Sequence, residues 1–312
     1  MSEGYFPAGK SMLRQVMQER CVGLMYGQRA LCIGALKPLN YVGTVEHSHQ
    51  LETPFKRLSR TATMFEHVYF GTREEADATL ASVASMHTRV HGELPHDAGP
   101  HHPAGTPYDA MDPSLMLWTV ANLADSSAWF YEHLVQPMGP AQAEAFWQDW
   151  LRFGELFGLA REHAPQTYTA FRLWFSEQLA GNDLFLTDEA RYMGYMTAFG
   201  IPMPASRQPF KHVHDAVMMY SLPGRVRELY GVRLSASQRT AAQLTIAAQR
   251  RLRTVTPAAL ATGSCIPSFR AVAHTERERI ASGQWTPRPS DHLERGHLPS
   301  LSHRRSATSR HA

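Results

Sequence analysis

Along most of this chain, apolar residues recur at the three- and four-residue spacing of a helix buried on one face. Over residues 72–91, Ala76, Leu80, Val83, His87 and Val90 fall on one stripe. Thr72 and Glu75 stand three apart in front of it, the spacing of a capping box, and Gly92 follows as a left-handed cap. The spacing predicts a helix from Thr72 to Val90 or His91, with His87 facing the core. Asp112-Pro113 joins an N-cap to a proline at the first helical position and opens a long apolar helix to about Gln136. Pro140 opens a helix bearing Trp147 and Trp150, and Pro165 one bearing Phe171 and Phe175. Thr53-Pro54 begins another, and 222–230 and 235–252 are also helical in pattern. Alternating Val/Ile/Thr runs and Asn-Gly hairpins are lacking. The expected class is all-α.

Punctuation divides the chain. Residues 97–107, DAGPHHPAGTP, carry too many Gly and Pro for a regular element and read as a loop. From Thr275 onward Pro, Ser, Arg and His dominate, so 275–312 reads as a disordered basic tail. Residues 1–10 read as a flexible N-terminus. That leaves one multi-helix domain over 11–274.

Composition narrows the function classes. Hydrophobic residues make up 43% of 312, enough for a real core. Lys and Arg number 31 against 28 Asp and Glu; seven and four of these lie in the tail, so the body is balanced. A balanced body gives no electrostatic reason to expect nucleic acid as a partner. Cys21, Cys32 and Cys265 are odd in number and widely spaced, which suits neither a disulfide framework nor a CxxC zinc site. The N-terminus lacks a signal-peptide pattern, and no run approaches the roughly 20 apolar residues of a spanning helix. The expectation is a cytoplasmic protein without a membrane span, compatible with peripheral association.

Residues Gly4 to Ser11 fit the P-loop pattern GxxxxGK[ST]. That pattern works when a strand delivers the loop to a helix N-terminus whose amides hold phosphate. Only three residues precede Gly4 and no parallel sheet follows, so the segment reads as a flexible N-terminus with Ser11 as a helix N-cap.

His87 and His91 stand one helical turn apart. A zinc protease helix would need His-Glu-x-x-His and a third ligand; here the spacing holds Thr88-Arg89-Val90. A lone imidazole on an apolar face is either a hydrogen-bonded core histidine or a ligand to haem iron, which takes its four equatorial ligands from the macrocycle. Arg57 and Thr61 share a face at i and i+4. They are either a solvated helix face or a cation and hydroxyl able to hold a haem propionate or polarise oxygen.

Taken in order, several short motifs resemble the family of the ER-bound oxygenase mpaB and the rubber oxygenase (latex clearing protein) catalytic domain. They are Glu46-His47-Ser48, Arg57-Leu58, Arg60-Thr61, Val68 to Gly71, and Met86-His87 to Gly92. Tyr108-Asp109-Ala110, Leu117-Trp118, Asp125-Ser126, Trp129, Tyr131-Glu132, Arg152 to Gly158, Leu222 to Arg225 and Tyr230-Gly231 follow. The resemblance implies a helical fold around a b-type haem, with His87 as the iron ligand and Arg57 and Thr61 lining the pocket. Arg60 stands where some relatives carry a lysine able to cap iron; an arginine has no lone pair to offer. Lys37-Pro38 and Val120 occupy positions that are histidine in many relatives.

The resulting expectation is a haem b-dependent oxygenase acting with dioxygen on a small apolar substrate. His87 is the iron ligand, Arg57 and Thr61 are the catalytic candidates, and Arg57 and Arg60 are expected to bind the cofactor. The alternative is a non-catalytic helical protein that binds haem or lipid without turnover.

Overall fold

The computed structural model describes residues 3–46, 53–203 and 208–284. Its first half comprises α1 (Met12–Met17), α2 (Arg20–Gly23), α3 (Tyr26–Gly34), α4 (Pro38–Glu46), α5 (Pro54–Phe70) and α6 (Arg73–His87). A two-stranded ribbon, β1 (His91–Glu93) and β2 (Pro107–Asp109), separates these from α7 (Pro113–Leu134), α8 (Pro140–Leu156) and α9 (Tyr168–Ala180). The chain continues through α10 (Asp188–Phe199), α11 (Gln208–Ser221), α12 (Gly224–Leu229), α13 (Ala236–Val255), α14 (Ala258–Ala261) and α15 (Ile266–Ala281). The class is all-α, as the apolar spacing predicts.

Helix α7 is the axis of the fold. Asp112 caps it, its carboxylate accepting from the amides of Ser114 (2.7 Å) and Leu115 (3.2 Å). The helix is apolar nearly all round, and such a helix must be enclosed by others. Helices α1, α2, α3, α8 and α13 pack on it. A buried ion-pair network lies inside this shell. Asp125 of α7 takes the Arg29 guanidinium at 2.7 Å and also bonds Arg172. Arg29 further donates to Ser126 Oγ at 2.9 Å and to the Ser221 carbonyl at 3.0 Å. One buried cation thus ties α3, α7 and α11 together. Trp147 stacks on Phe171 with ring centroids 4.1 Å apart, and its Nε1 donates to the Pro165 carbonyl at 2.8 Å.

Several boundaries differ from the sequence reading. The segment read as a flexible N-terminus is anchored at two residues: Phe6 is fully buried and Tyr5 donates to Asp77 Oδ1 at 2.5 Å. Ser11 is the N-cap of α1, accepting from the Arg14 amide, as expected. The helix expected from Pro165 starts at Tyr168, where Thr167 caps the Ala170 amide, because the Pro165 carbonyl is engaged by Trp147. Thr72 and Glu75 do form both bonds of their capping box. The helix they open ends at His87, three or four residues before the predicted stop. The Val90 amide turns back to the His87 carbonyl at 2.9 Å, and His91 enters the ribbon opposite Asp109. Gly92 lies in that strand because Tyr108 packs over it: a Cβ there would meet the Tyr108 hydroxyl at 2.8 Å.

The largest correction concerns the expected tail. Helix α15 runs to Ala281, seven residues into the segment read as disordered. Glu276 in it is fully buried. Its carboxylate accepts from the Phe55 amide at 3.1 Å and the Lys56 amide at 2.9 Å. It therefore caps α5, whose own Thr53 makes no side-chain bond to the helix amides. The remainder of the expected tail, from residue 285, lies outside the described residues, as do His47 and Ser48.

Candidate functional site

Helix α3 carries glycine or alanine at Gly27, Ala30 and Gly34, and these small residues leave space between it and its neighbours. The result is a cavity of about 320 Å³ enclosed by α3, α4, α5, α7, α10 and α15. Its lining is mainly apolar. Leu58, Ala62 and Phe65 come from α5, Leu123 from α7, Met193 from α10 and Phe269 from α15.

Arg57 and Thr61 both line this cavity, as their i, i+4 spacing on α5 requires. Arg57 is half-buried and Thr61 exposed, so the pair stands where the cavity meets solvent. Arg60 is exposed and is not part of the lining. His87 ends α6, the other arm of the hairpin that turns at Gly71. It is half-buried, and burial holds its imidazole below the ordinary histidine value. His87 is not among the cavity-lining residues. Thr61 lies ten residues before Gly71 and α6 is 15 residues long, so the two stand about 15 Å and about 22 Å from the turn along their own helices. The turn end is closed by the Gly71 amide on the His67 carbonyl (3.0 Å) and by His67 Nδ1 against Thr79 Oγ1 (3.2 Å).

Because α6 stops at His87, His91 is not one helical turn further on the same face. Among the described residues no group of three His, Cys, Asp or Glu side chains could hold a metal ion. Lys37 and Val120 hold packed structural positions. Lys37 donates to Gln178 Oε1 at 2.9 Å and lies 5.1 Å from the Trp118 ring centre, and Val120 is buried.

Two cavity residues escaped the sequence reading. Asn122 of α7 is 2% exposed, and neither Nδ2 nor Oδ1 has a hydrogen-bond partner. The Tyr41 hydroxyl of α4 is likewise buried without a partner. Burial and the nearby Glu189 carboxylate push its phenol well above the ordinary tyrosine value, against the opposing Arg57 charge. A lone amide in an otherwise apolar turn, Val120-Ala121-Asn122-Leu123-Ala124, is the one signal in the sequence that marks Asn122.

An apolar cavity with a cation and hydroxyl at its edge, and unpaired polar groups inside, can hold an apolar molecule and present donors to it. No helix among the described residues is long and apolar enough to cross a membrane. Two curated relatives are similar over 160 residues at 25% identity: the uncharacterized protein Mb2261 of Mycobacterium bovis and the uncharacterized protein Rv2237 of Mycobacterium tuberculosis. The similar stretch covers 51% of this chain and 60% of each relative. No solved structure matches the chain. The family model for the ER-bound oxygenase mpaB/B' and rubber oxygenase catalytic domain matches residues 14–256, which include the cavity's α3, α4, α5, α7 and α10. The chain therefore belongs to the family of the ER-bound oxygenase mpaB and rubber oxygenase catalytic domain.

Proposed function

We propose that the protein is a haem-dependent oxygenase that acts with dioxygen on an apolar substrate held in the cavity beside α5. One observation carries the reading: a guanidinium and a hydroxyl, Arg57 and Thr61, stand together on the edge of a largely apolar cavity. Oxygenation needs a dry place for the substrate and fixed donors where negative charge develops on oxygen.

The side chains His87, Arg57 and Arg60 suit a b-type haem in their chemistry. Burial of His87 favours the neutral imidazole, the form that ligates iron, and Arg57 and Arg60 are cations suited to propionates. Once bound, haem would supply the iron centre that activates dioxygen. The chain's own residues do the rest. The Arg57 guanidinium would hold a propionate or polarise oxygen, and the Thr61 hydroxyl, one turn on, would donate beside it. Leu58, Phe65 and Leu123 exclude water and hold an apolar chain. His87 and Arg57, one from each arm of the α5–α6 hairpin, are the residues that would hold haem.

A second reading is a helical protein that binds haem or lipid without turnover. The position of His87 outside the cavity lining favours it. Absorption spectra of wild type and His87→Ala, expressed with iron and a haem precursor, test the cofactor. The expected result is a Soret band in wild type that is lost or shifted in the variant. A colourless wild type that takes up no added haem overturns the haem reading. Oxygen uptake with apolar substrates then separates enzyme from binder: wild type consumes oxygen and Arg57→Ala loses at least tenfold in rate.

A further inference from the structure

We propose that the cavity selects an amphipathic substrate, an apolar chain bearing a neutral head group that both donates and accepts, such as an alcohol, with Asn122 and Tyr41 as its binding residues. The inference rests on the reading of this cavity as the substrate pocket.

Asn122 is the main support. Its side chain is 2% exposed, lines the cavity, and leaves both the amide nitrogen and the amide oxygen unbonded. A buried amide without partners destabilises a fold, and a leucine of similar size would fill the same space without that loss. The neighbouring polar groups do not satisfy it. Thr119, one turn earlier on α7, donates to the Leu115 carbonyl at 3.1 Å and accepts from Asn40 Nδ2 at 2.9 Å. Thr197 of α10 donates to the Met193 carbonyl within its own helix. On the α4 side, the Tyr41 hydroxyl also lines the cavity and is unbonded. One cavity thus holds a free N–H₂ donor, a free carbonyl acceptor and a free hydroxyl, with Leu58, Ala62, Phe65 and Phe269 elsewhere in its lining.

The chemistry of these atoms limits the head group. A bare hydrocarbon leaves all three unbonded. A carboxylate or an ether accepts from Asn122 Nδ2 and has no proton for Oδ1. An alcohol accepts from Nδ2 and donates to Oδ1, and Tyr41 serves as a further donor or acceptor. A site built to bond a substrate hydroxyl discriminates strongly against the analogue lacking it, because its buried groups are then left unpaired.

The test is displacement of a fluorescent apolar probe, N-phenyl-1-naphthylamine, from the protein as purified. Octan-1-ol, 1-methoxyoctane and octane are the competitors. Octan-1-ol is expected to bind wild type about tenfold or more tighter than 1-methoxyoctane. Asn122→Leu is expected to remove that preference while keeping affinity for octane. Tyr41→Phe, which deletes one oxygen, is expected to weaken octan-1-ol about threefold to tenfold, and circular dichroism reports whether each variant folds. Equal binding of octan-1-ol and 1-methoxyoctane by wild type overturns the proposal, as does a preference that survives in both Asn122→Leu and Asn122→Ala. No step of the assay uses haem or turnover. Selective alcohol binding without oxygen uptake sinks the oxygenase reading alone, and oxygen uptake without alcohol selectivity sinks this inference alone.

Discussion

Glu276 offers a direct test of how the site is held. Its carboxylate is fully buried and accepts from the Phe55 and Lys56 amides, the first turn of the helix that presents Arg57. The Arg57 amide itself closes on the Thr53 carbonyl at 3.1 Å, so the capped turn and Arg57 stand or fray together. Glu276→Ala removes the acceptor that the Phe55 and Lys56 amides bond, at about 1–3 kcal/mol for a bond lost away from water. Loss of a helix cap alone costs about 0.5–2 kcal/mol. Burial works against the charge, which offsets part of the gain, so we expect Glu276→Ala to lose about 2–3 kcal/mol. Glu276→Gln keeps one acceptor and should lose about 1–2 kcal/mol. Urea unfolding at fixed pH reads both as shifts of the midpoint at constant slope. A loss below about 0.5 kcal/mol for Glu276→Ala, inside ordinary surface variation, would refute the capping role.

The same residue has a pH signature. Burial raises the Glu276 carboxyl above its ordinary value of 4.5, outweighing the opposing bonds from Thr53 and the two amides. A raised folded value means that the native chain keeps a proton the unfolded chain has released. Its contribution to stability is therefore complete below about pH 4.5 and declines as pH rises through the folded value. Glu276→Gln removes that decline, so the wild-type advantage over the variant is expected to shrink with rising pH across this window.

Three further outcomes follow from the packing. Ending the chain after His274 is expected to lower the melting temperature relative to ending it after Gln284, since only the longer form keeps Glu276; equal melting temperatures would count against the long-range cap. Arg29→Met strands the buried Asp125 carboxylate with Arg172 alone and is expected to cost about 3–5 kcal/mol in urea unfolding, and a loss under 1 kcal/mol would mean Arg172 suffices. Phe171→Ala removes the ring stacked on Trp147 and is expected to cost about 3–5 kcal/mol, together with a changed tryptophan emission.

The helices were readable because their start signals are local. The Thr72–Glu75 box and the Asp112 cap before Pro113 each join residues three positions apart or fewer, and each forms in the fold. The shared face of Arg57 and Thr61 follows from helix periodicity alone, and both residues line the cavity. The end of α6 was misread because stripe periodicity continues through Val90, while the ribbon that captures His91 depends on pairing with Asp109, 18 residues on.

What the sequence by itself determined is the all-α class, most helix starts and the face of α5 that meets the cavity, since these depend on bonds and spacings within a turn or two. Only the tertiary structure decided that Glu276 caps a helix 221 residues away, that Phe6 is core, that His87 stands outside the cavity lining, and that Asn122 is buried unpaired. Those properties depend on which helices meet across the fold, and neither composition nor period records the distance between surfaces brought together by packing.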